Sequence, residues 1–215
     1  MCIRDRAWGA RLGQTLSAPG PWLVALSFAV YSSQWLAVIG FLPTIYLQAG
    51  VSGATTGVLT ALAAAVNMLG NMAAGRLLHR GWPAPRLLGI GFVVMALAAA
   101  AAFAGGPGAG LPAALRFAAV LVFSAVGGLV PGTLFYLVVR LAPSERTLST
   151  AVGWMQQWSS AGQFAGPPTV AWVASQAGGW HYTWVATGAC SLLGLLLMLA
   201  LARLLARRRQ APAAP

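Results

Sequence analysis

Acidic side chains are nearly absent from this sequence. Its 215 residues include two acidic and thirteen basic residues, and charged residues make up only 7% of the chain. A soluble domain usually contains about 25% charged residues, so the composition excludes an ordinary soluble globular protein. Lysine is missing altogether and every basic residue is arginine. Together with abundant alanine and glycine, this is typical of a GC-rich bacterial genome.

Cysteine is equally scarce. Cys2 and Cys190 are the only two, and Cys190 lies within an apolar run. No disulfide framework or metal-binding motif is available, so we expect neither a metal nor a cofactor. The formal net charge of +11 is compatible with nucleic-acid binding. However, the arginines are dispersed between apolar runs rather than clustered on one soluble face, so we expect no nucleic-acid partner.

The first six residues, 1–6, read MCIRDR. They resemble the translation of a transposon end used in preparing sequencing libraries. We therefore predict that residues 1–6 are a sequencing-adapter artefact, and the alternative is a natural short basic N-terminus. The apolar run that follows is too long for the apolar core of a signal peptide.

Apolar residues are what the chain has in abundance, at 59% of the sequence. A bilayer span needs roughly 20 mostly apolar residues, and six such runs are joined by short loops. The predicted fold class is an all-α membrane protein, a six-transmembrane-helix bundle over residues 7–206 with a cytoplasmic tail at 207–215. The predicted spans are residues 22–47, 54–78, 87–104, 113–139, 148–174 and 182–205.

The arginines predict the orientation in the membrane, because cytoplasmic loops carry an excess of Arg and Lys. With six spans, both ends of the chain lie on one side. Only Arg116 falls at the opposite end. The chain is therefore predicted to lie in the lipid bilayer of the bacterial inner membrane with a cytoplasmic C-terminus. The arginines on the predicted cytoplasmic side are Arg11, Arg76, Arg80, Arg86, Arg140, Arg146, Arg203, Arg207, Arg208 and Arg209.

Polar residues are unevenly distributed among the six runs. The first, second, fourth and fifth carry amides, hydroxyls or tryptophans, whereas the third carries none of these and the middle of the sixth only small polar groups. A polar side chain at membrane depth should face protein or a wet cavity. We therefore expect spans one, two, four and five to face inward and spans three and six to face lipid. This order repeats, which predicts two three-helix repeats.

These inward polar and aromatic side chains are the candidates for substrate contact. The other interpretation is that they only join neighbouring helices, since interhelical hydrogen bonds of Asn and Gln stabilise membrane bundles. The three glutamines of the fifth span lie on different faces, and Gln157 is the one we favour. The candidate substrate-binding residues are Tyr31, Gln34, Trp35, Asn67, Gln157 and Trp158.

Glycine and proline interrupt two of the runs. Gly162 and Gly166 would let a neighbouring helix approach closely, and Pro167 and Pro168 are expected to end or kink the helix. Pro131 is expected to kink the fourth span.

Two segments resemble motifs of the major facilitator superfamily. The loop from Gly75 to Gly81 is similar to the family's G-x-L-x-D-R-x-G motif and keeps Arg80, but His79 replaces the acidic residue. Gly162-x-x-x-Gly166-Pro167 resembles its G-x-x-x-G-P motif. With the six spans, this resemblance implies the C-terminal half of such a transporter. It also implies a small-molecule substrate, alternating access, and a missing N-terminal six-helix half as partner.

Two other classes of membrane protein are alternatives to a transporter. Gly50-Val51-Ser52-Gly53 matches the G-x-S-G of rhomboid proteases, and His181 lies on the same predicted side. The rhomboid serine begins the fourth span, however, whereas Ser52 precedes the second, and a helix-capping serine explains the turn. We expect no enzyme. A non-transporting membrane sensor or assembly subunit is the remaining alternative.

Proton-coupled carriers commonly use a carboxylate within the membrane that changes charge during the transport cycle. The sequence has only Asp5 and Glu145, and Glu145 falls in a predicted cytoplasmic loop. We therefore expect any coupling carboxylate in the N-terminal half.

Overall fold

The computed structural model of the chain describes residues 2–105 and 110–210, and these form helices with short connections. No strand occurs in this part of the chain. Two 3₁₀ turns, Glu145–Thr147 and Trp180–Tyr182, precede the last two α-helices. The α-helices are α1 (Cys2–Ser17), α2 (Pro19–Gln48), α3 (Gly53–Ala65), α4 (Asn67–His79), α5 (Ala84–Phe103), α6 (Ala113–Gly127), α7 (Leu129–Leu141), α8 (Leu148–Ala177) and α9 (Thr183–Gln210).

Five helical segments are long and apolar enough to cross a membrane. They are α2, α3 with α4, α5, α6 with α7, and the segment Trp180–Arg208. The sixth long helix, α8, has 30 residues, but its glutamines, serines and prolines leave it no comparably apolar stretch. The prediction of an all-α membrane bundle is confirmed. Adapter origin for residues 1–6 stays a prediction, and Met1 and residues 211–215 of the predicted tail lie outside the described residues.

Local sequence explains where α2 begins. Ala18 is extended and Pro19 occupies the first helical position, where a missing N–H costs nothing and the fixed φ suits a helix. The helix then runs for 30 residues, about 45 Å at 1.5 Å per residue. It packs along α8 over most of this length and also contacts α7 and α9. It is therefore the central element of the bundle.

Two of the membrane-length segments are interrupted where they cross. The break between α3 and α4 falls at Val66, and that between α6 and α7 at Gly128. Pro131 has no N–H to give the Gly127 carbonyl, which explains the second break. At the crossing, a Cβ on Gly70 would overlap the Ala125 carbonyl oxygen, and one on Gly128 the Asn67 carbonyl oxygen. The backbones meet directly there.

The third span, expected to face lipid, is covered by protein on one face. Helix α5 packs against α6, α7 and α9, with Phe92 and Met95 fully buried. Its other face exposes apolar side chains such as Leu97. Lipid and protein interior are both apolar, so a lack of polar residues does not distinguish a lipid-facing helix from a central one.

The second span, formed by α3 and α4, was predicted to face inward. Of the five membrane-length apolar segments, it has the smallest share of its apolar stretch buried within this chain, 17%. Only Thr56 and Ala63 of α3 are buried, and α4 exposes Met68 and Met72.

The prolines of α8 do not end it, contrary to one of the two expected outcomes. The helix continues through Pro167 and Pro168 to Ala177 and ends at Gly178, whose φ is 71°. At the other end of the chain, α9 extends to Gln210, so the first four residues of the predicted tail are helical.

Candidate functional site

A polar network joins α2, α4 and α6 inside the bundle. The Nδ2 group of Asn67 donates to the Tyr31 hydroxyl and to the Ser124 carbonyl oxygen, both at 2.8 Å. The indole N–H of Trp35 donates to the Ser124 hydroxyl at 3.1 Å. Asn71 Nδ2 donates in turn to Asn67 Oδ1 at 3.1 Å. Three of the six candidate substrate residues therefore meet in one cluster.

The central residue of this network, Asn67, is the first residue of α4, directly after the break at Val66. Tyr31 is only 4% exposed and Ser124 is fully buried. Their hydrogen bonds hold three helices together, as expected for amides and hydroxyls at membrane depth. Tyr31, Trp35 and Asn67 are engaged with protein partners, so a solute would have to displace these bonds to use them.

Gln34 lies elsewhere, between α2 and α9. The Ser191 hydroxyl donates to its Oε1 at 2.9 Å, and the side chain is 1% exposed. Its Nε2 is buried without a hydrogen-bond partner in the described part of the chain. An unpaired buried amide costs about 1–3 kcal/mol.

Gln157 and Trp158 are separated from the network. Gln157 is exposed and lines a cavity of about 480 Å³ between α1 and α8, beside Arg11, Thr150 and Trp154. Trp158 is half-buried and belongs to an aromatic cluster. In it, the Trp22 ring lies 4.8 Å from Trp154 and 5.7 Å from Trp158, centre to centre.

Gly162 and Gly166 form the close contact between α8 and α2. A Cβ on Gly162 would lie 2.8 Å from the Ala29 carbonyl carbon, and one on Gly166 2.7 Å from the Ser33 carbonyl carbon. Near this contact the hydroxyls of Ser32 and Ser159 are hydrogen-bonded at 2.7 Å. Glycine therefore lets two long helices approach to backbone distance and pair their small polar side chains.

Sequence reasoning missed the serines that complete these contacts. Ser124, Ser159 and Ser191 each pair with a residue on another helix. The available signal was a hydroxyl within an apolar run, but that signal does not identify the partner on another helix.

The loop motif ends α4 in a specific way. Gly81 has a φ of 84°, its N–H donates to the Leu78 carbonyl, and the Trp82 N–H donates to the Leu77 carbonyl, both at 3.0 Å. This is a Schellman-type helix end, which favours glycine. Gly75 and Arg80 are exposed, and Arg80 makes no ion pair with any described residue.

Ser52 caps α3. Its hydroxyl oxygen accepts from the Thr55 N–H at 3.3 Å and the hydroxyl donates to Thr55 Oγ1 at 2.9 Å. These bonds supply the capping explanation for this turn.

Long apolar helices joined by short turns, with polar side chains paired inside, define a multi-pass membrane protein. The profile of the Major Facilitator Superfamily matches residues 23–215. This chain belongs to the major facilitator superfamily and is a membrane transporter protein. The resemblance of its motifs to this superfamily is confirmed. No curated protein matches the chain.

Proposed function

We propose that the chain is the C-terminal six-helix half of a carrier. The carrier moves a small solute across the bacterial inner membrane by alternating access. One observation carries this proposal: α8 is buried on one face against α2 and exposes a polar face opposite. Gln156, Ser160 and Gln163 are exposed there, beside Phe164, which is 84% exposed, and Gln157 is exposed toward α1. Amides in contact with lipid have no partner, so this face requires protein or water.

A second helix bundle would provide both the protein contact and the water that this polar face of α8 requires. If an N-terminal six-helix half packs against α3, α4 and α8, it covers their exposed faces and encloses a wet cavity between the halves. Rocking of one bundle against the other then opens that cavity to each side in turn. Our candidate contacts remain Tyr31, Gln34, Trp35, Asn67, Gln157 and Trp158. Gln157 is the exposed one, so it is the first to test.

The test is solute uptake by the full-length protein in proteoliposomes. Gln157→Ala should raise the KM of uptake, because a hydrogen bond to the solute is lost, while the amount of inserted protein stays unchanged. Gln176→Ala is the matched control, an exposed glutamine near the end of the same helix. No uptake of any tested solute class would contradict a carrier and favour the sensor or assembly subunit. Equal kinetics in both variants would remove Gln157 from the site.

Orientation can be tested in the same preparation. We infer that both ends of the chain are cytoplasmic, with the connection around Leu111 on the outer side. A cysteine in place of exposed Leu111 should react with a membrane-impermeant thiol reagent in intact cells, and one in place of exposed Ser144 only after lysis. The reverse pattern would overturn the orientation.

We further propose that proton coupling, if the carrier has it, depends on the N-terminal half. Glu145 is exposed in the connection before α8, outside every membrane-length helix. Glu145→Gln should therefore leave pH-driven uptake unchanged. Loss of pH dependence with solute exchange intact would place the coupling group here after all.

A further inference from the structure

Two exposed arginines end apolar stripes on the packed helices α5 and α9. On α5, Ile90, Val93 and Leu97 are exposed, and Arg86 continues their stripe with the same helical spacing. On α9, three exposed leucines lead in the same way to the exposed Arg203. These leucines are Leu192, Leu196 and Leu199. Each stripe is therefore apolar along its helix and positively charged at one end.

Helices α5 and α9 are antiparallel and share a tight seam. A Cβ on Gly89 would lie 3.4 Å from the Met198 Cε atom, and a Cβ on Gly194 would overlap the Phe92 ring. The numbers of the contacting residues rise on α5 as they fall on α9, so the two helices run in opposite directions. The start of α5 and the end of α9 therefore lie at the same end of the bundle.

The two arginines lie at similar depths in the bundle. Arg86 lies three residues before Gly89, and Arg203 lies five residues after Met198. At 1.5 Å per residue, these separations are about 4.5 and 7.5 Å along the helices, toward the same end. The two arginines are thus carried at levels less than one helical turn apart.

The two arginines also lie on the same side of the seam. Successive residues of a helix are rotated by about 100°, and antiparallel helices rotate in opposite senses when both are viewed from one end. Three residues before Gly89 and five residues after Met198 therefore turn to the same side, by about 60° and 140°. The exposed Ile90 and Leu199, each one residue past the seam, turn to this side as well. We call this surface the α5–α9 face and define it by Arg86, Ile90, Leu199 and Arg203.

An aromatic residue marks the depth of Arg86. Trp82 is exposed in the connection before α5, and the Arg86 guanidinium carbon lies 5.9 Å from the centre of its ring. Tryptophan is enriched where lipid tails meet headgroups, and an arginine at that level covers apolar surface with its stem while its charge reaches the polar region. The α5–α9 face thus presents cations at headgroup level and apolar side chains at the level of the acyl chains.

We propose that the α5–α9 face binds an anionic phospholipid of the phosphatidylglycerol type. The arginines hold its phosphate oxygens through charge-assisted hydrogen bonds, and an acyl chain lies against Ile90 and Leu199. A soluble anion lacks the apolar part, and phosphatidylcholine carries a cation beside its phosphate, so both match this face less well. The face is formed by helices other than α3, α4 and α8, against which we place the N-terminal half, so the inference goes beyond the proposed carrier function.

The experiment is photo-crosslinking of the full-length protein in bilayers of equal parts phosphatidylglycerol and phosphatidylcholine. A benzophenone-bearing phenylalanine in place of Leu199, one turn from Arg203, labels the lipid on the α5–α9 face, and mass spectrometry of the labelled peptide identifies the headgroup. The same probe in place of Val185 is the control. Leu199 and Val185 are 47% and 45% exposed on one helix, but Val185 lies about 27 Å from Arg203, in the opposite leaflet.

Phosphatidylglycerol adducts should exceed phosphatidylcholine adducts by about fivefold or more at the Leu199 probe, because one basic residue near the surface favours an anionic lipid by about that factor. Arg86→Gln combined with Arg203→Gln should bring the adduct ratio of this probe close to one, and the corresponding double replacement by lysine should retain the preference. Arg11→Gln combined with Arg146→Gln removes the same charge from exposed positions outside α5 and α9 and should leave the ratio unchanged.

Three results would overturn the proposal. Equal adduct ratios at Leu199 and Val185 would mean that the arginines only extend into water. An unchanged ratio in the double glutamine variant would mean that they do not select the lipid. Crosslinks from Leu199 to protein instead of lipid would mean that another protein surface covers the α5–α9 face. If the double glutamine variant does not insert, the comparison of the two probes still decides, because it keeps both arginines.

Discussion

Replacing Gly162 with alanine tests the close packing of α8 on α2. The new Cβ would lie 2.8 Å from the Ala29 carbonyl carbon and closer to its oxygen. Backbone atoms inside a helix cannot move aside as a side chain can, so α8 must shift. Overpacking of this kind costs typically about 1–3 kcal/mol, and a backbone clash belongs at the upper end. Alanine recovers about 1 kcal/mol through its higher helix propensity. The expected net loss is therefore about 2 kcal/mol.

For a chain of this size, that loss corresponds to a fall in Tm of about 4–8 °C. Tryptophan fluorescence during thermal unfolding in detergent measures it, because Trp154 and Trp158 lie in the same helix. Gly153→Ala is the matched control: it is exposed on α8 and a Cβ there meets nothing within 4 Å. The control should keep or slightly raise Tm. Equal Tm values for Gly162→Ala and Gly153→Ala would refute the packing argument.

Three further outcomes are expected. Gly128→Ala should lower Tm at least as much as Gly162→Ala, because the new Cβ would overlap the Asn67 carbonyl oxygen. Gly75→Ala is the control and should not lower Tm, because a Cβ there meets open space. Equal Tm values for Gly128→Ala and Gly75→Ala would contradict the close crossing of α4 and α7. Tyr31→Phe should cost about 1 kcal/mol of unfolding free energy, and Asn67→Ala more, because Asn67 also bonds to Ser124 and Asn71. The two losses should be non-additive in the double variant, since both break the bond between Asn67 and Tyr31. Additive losses would show that this bond is not formed. Ser159→Ala should lower the free energy of unfolding by about 1 kcal/mol, because it removes the hydrogen bond to Ser32. Ser160→Ala is the control: Ser160 is exposed on the same helix, and its replacement should leave the free energy of unfolding unchanged. A loss of stability in both variants would indicate an effect of helix propensity instead.

The membrane fold could be predicted because it depends on features that a sequence displays directly. The membrane helices are defined by apolar runs of bilayer length with glycines or prolines between them. Two short motifs, taken together with these runs, indicate the family. The break at Gly128 also had a local signal in Pro131. The break at Val66 had none, because it lies at a crossing of two helices whose contact residues, Gly70 and Gly128, are far apart in sequence.

The site was less predictable because polar pairing depends on three-dimensional neighbours. Tyr31 and Asn67 are 36 residues apart, and Gln34 and Ser191 are 157 apart. Composition could indicate that each side chain needs a partner but not which one. The same limit applies to α5, whose apolar surface suits a protein core on one face and a lipid environment on the other.

Each of the two interrupted segments consists of two helices, and α3 of one segment differs sharply from α7 of the other. The difference is in how much of the helix surface is covered by the rest of this chain. Helix α3 has two buried residues among its 13, whereas α7, of the same length, has eight. Saturation mutagenesis would measure this difference as the range of substitutions that each helix tolerates. On α7, most substitutions should be rejected whatever else the protein contains. On α3, broad acceptance of any apolar residue would mean contact with fluid lipid, whereas narrow acceptance would mean that another protein surface shapes it. The mutational profile of one 13-residue helix would thus reveal a neighbour without a structure of the neighbour.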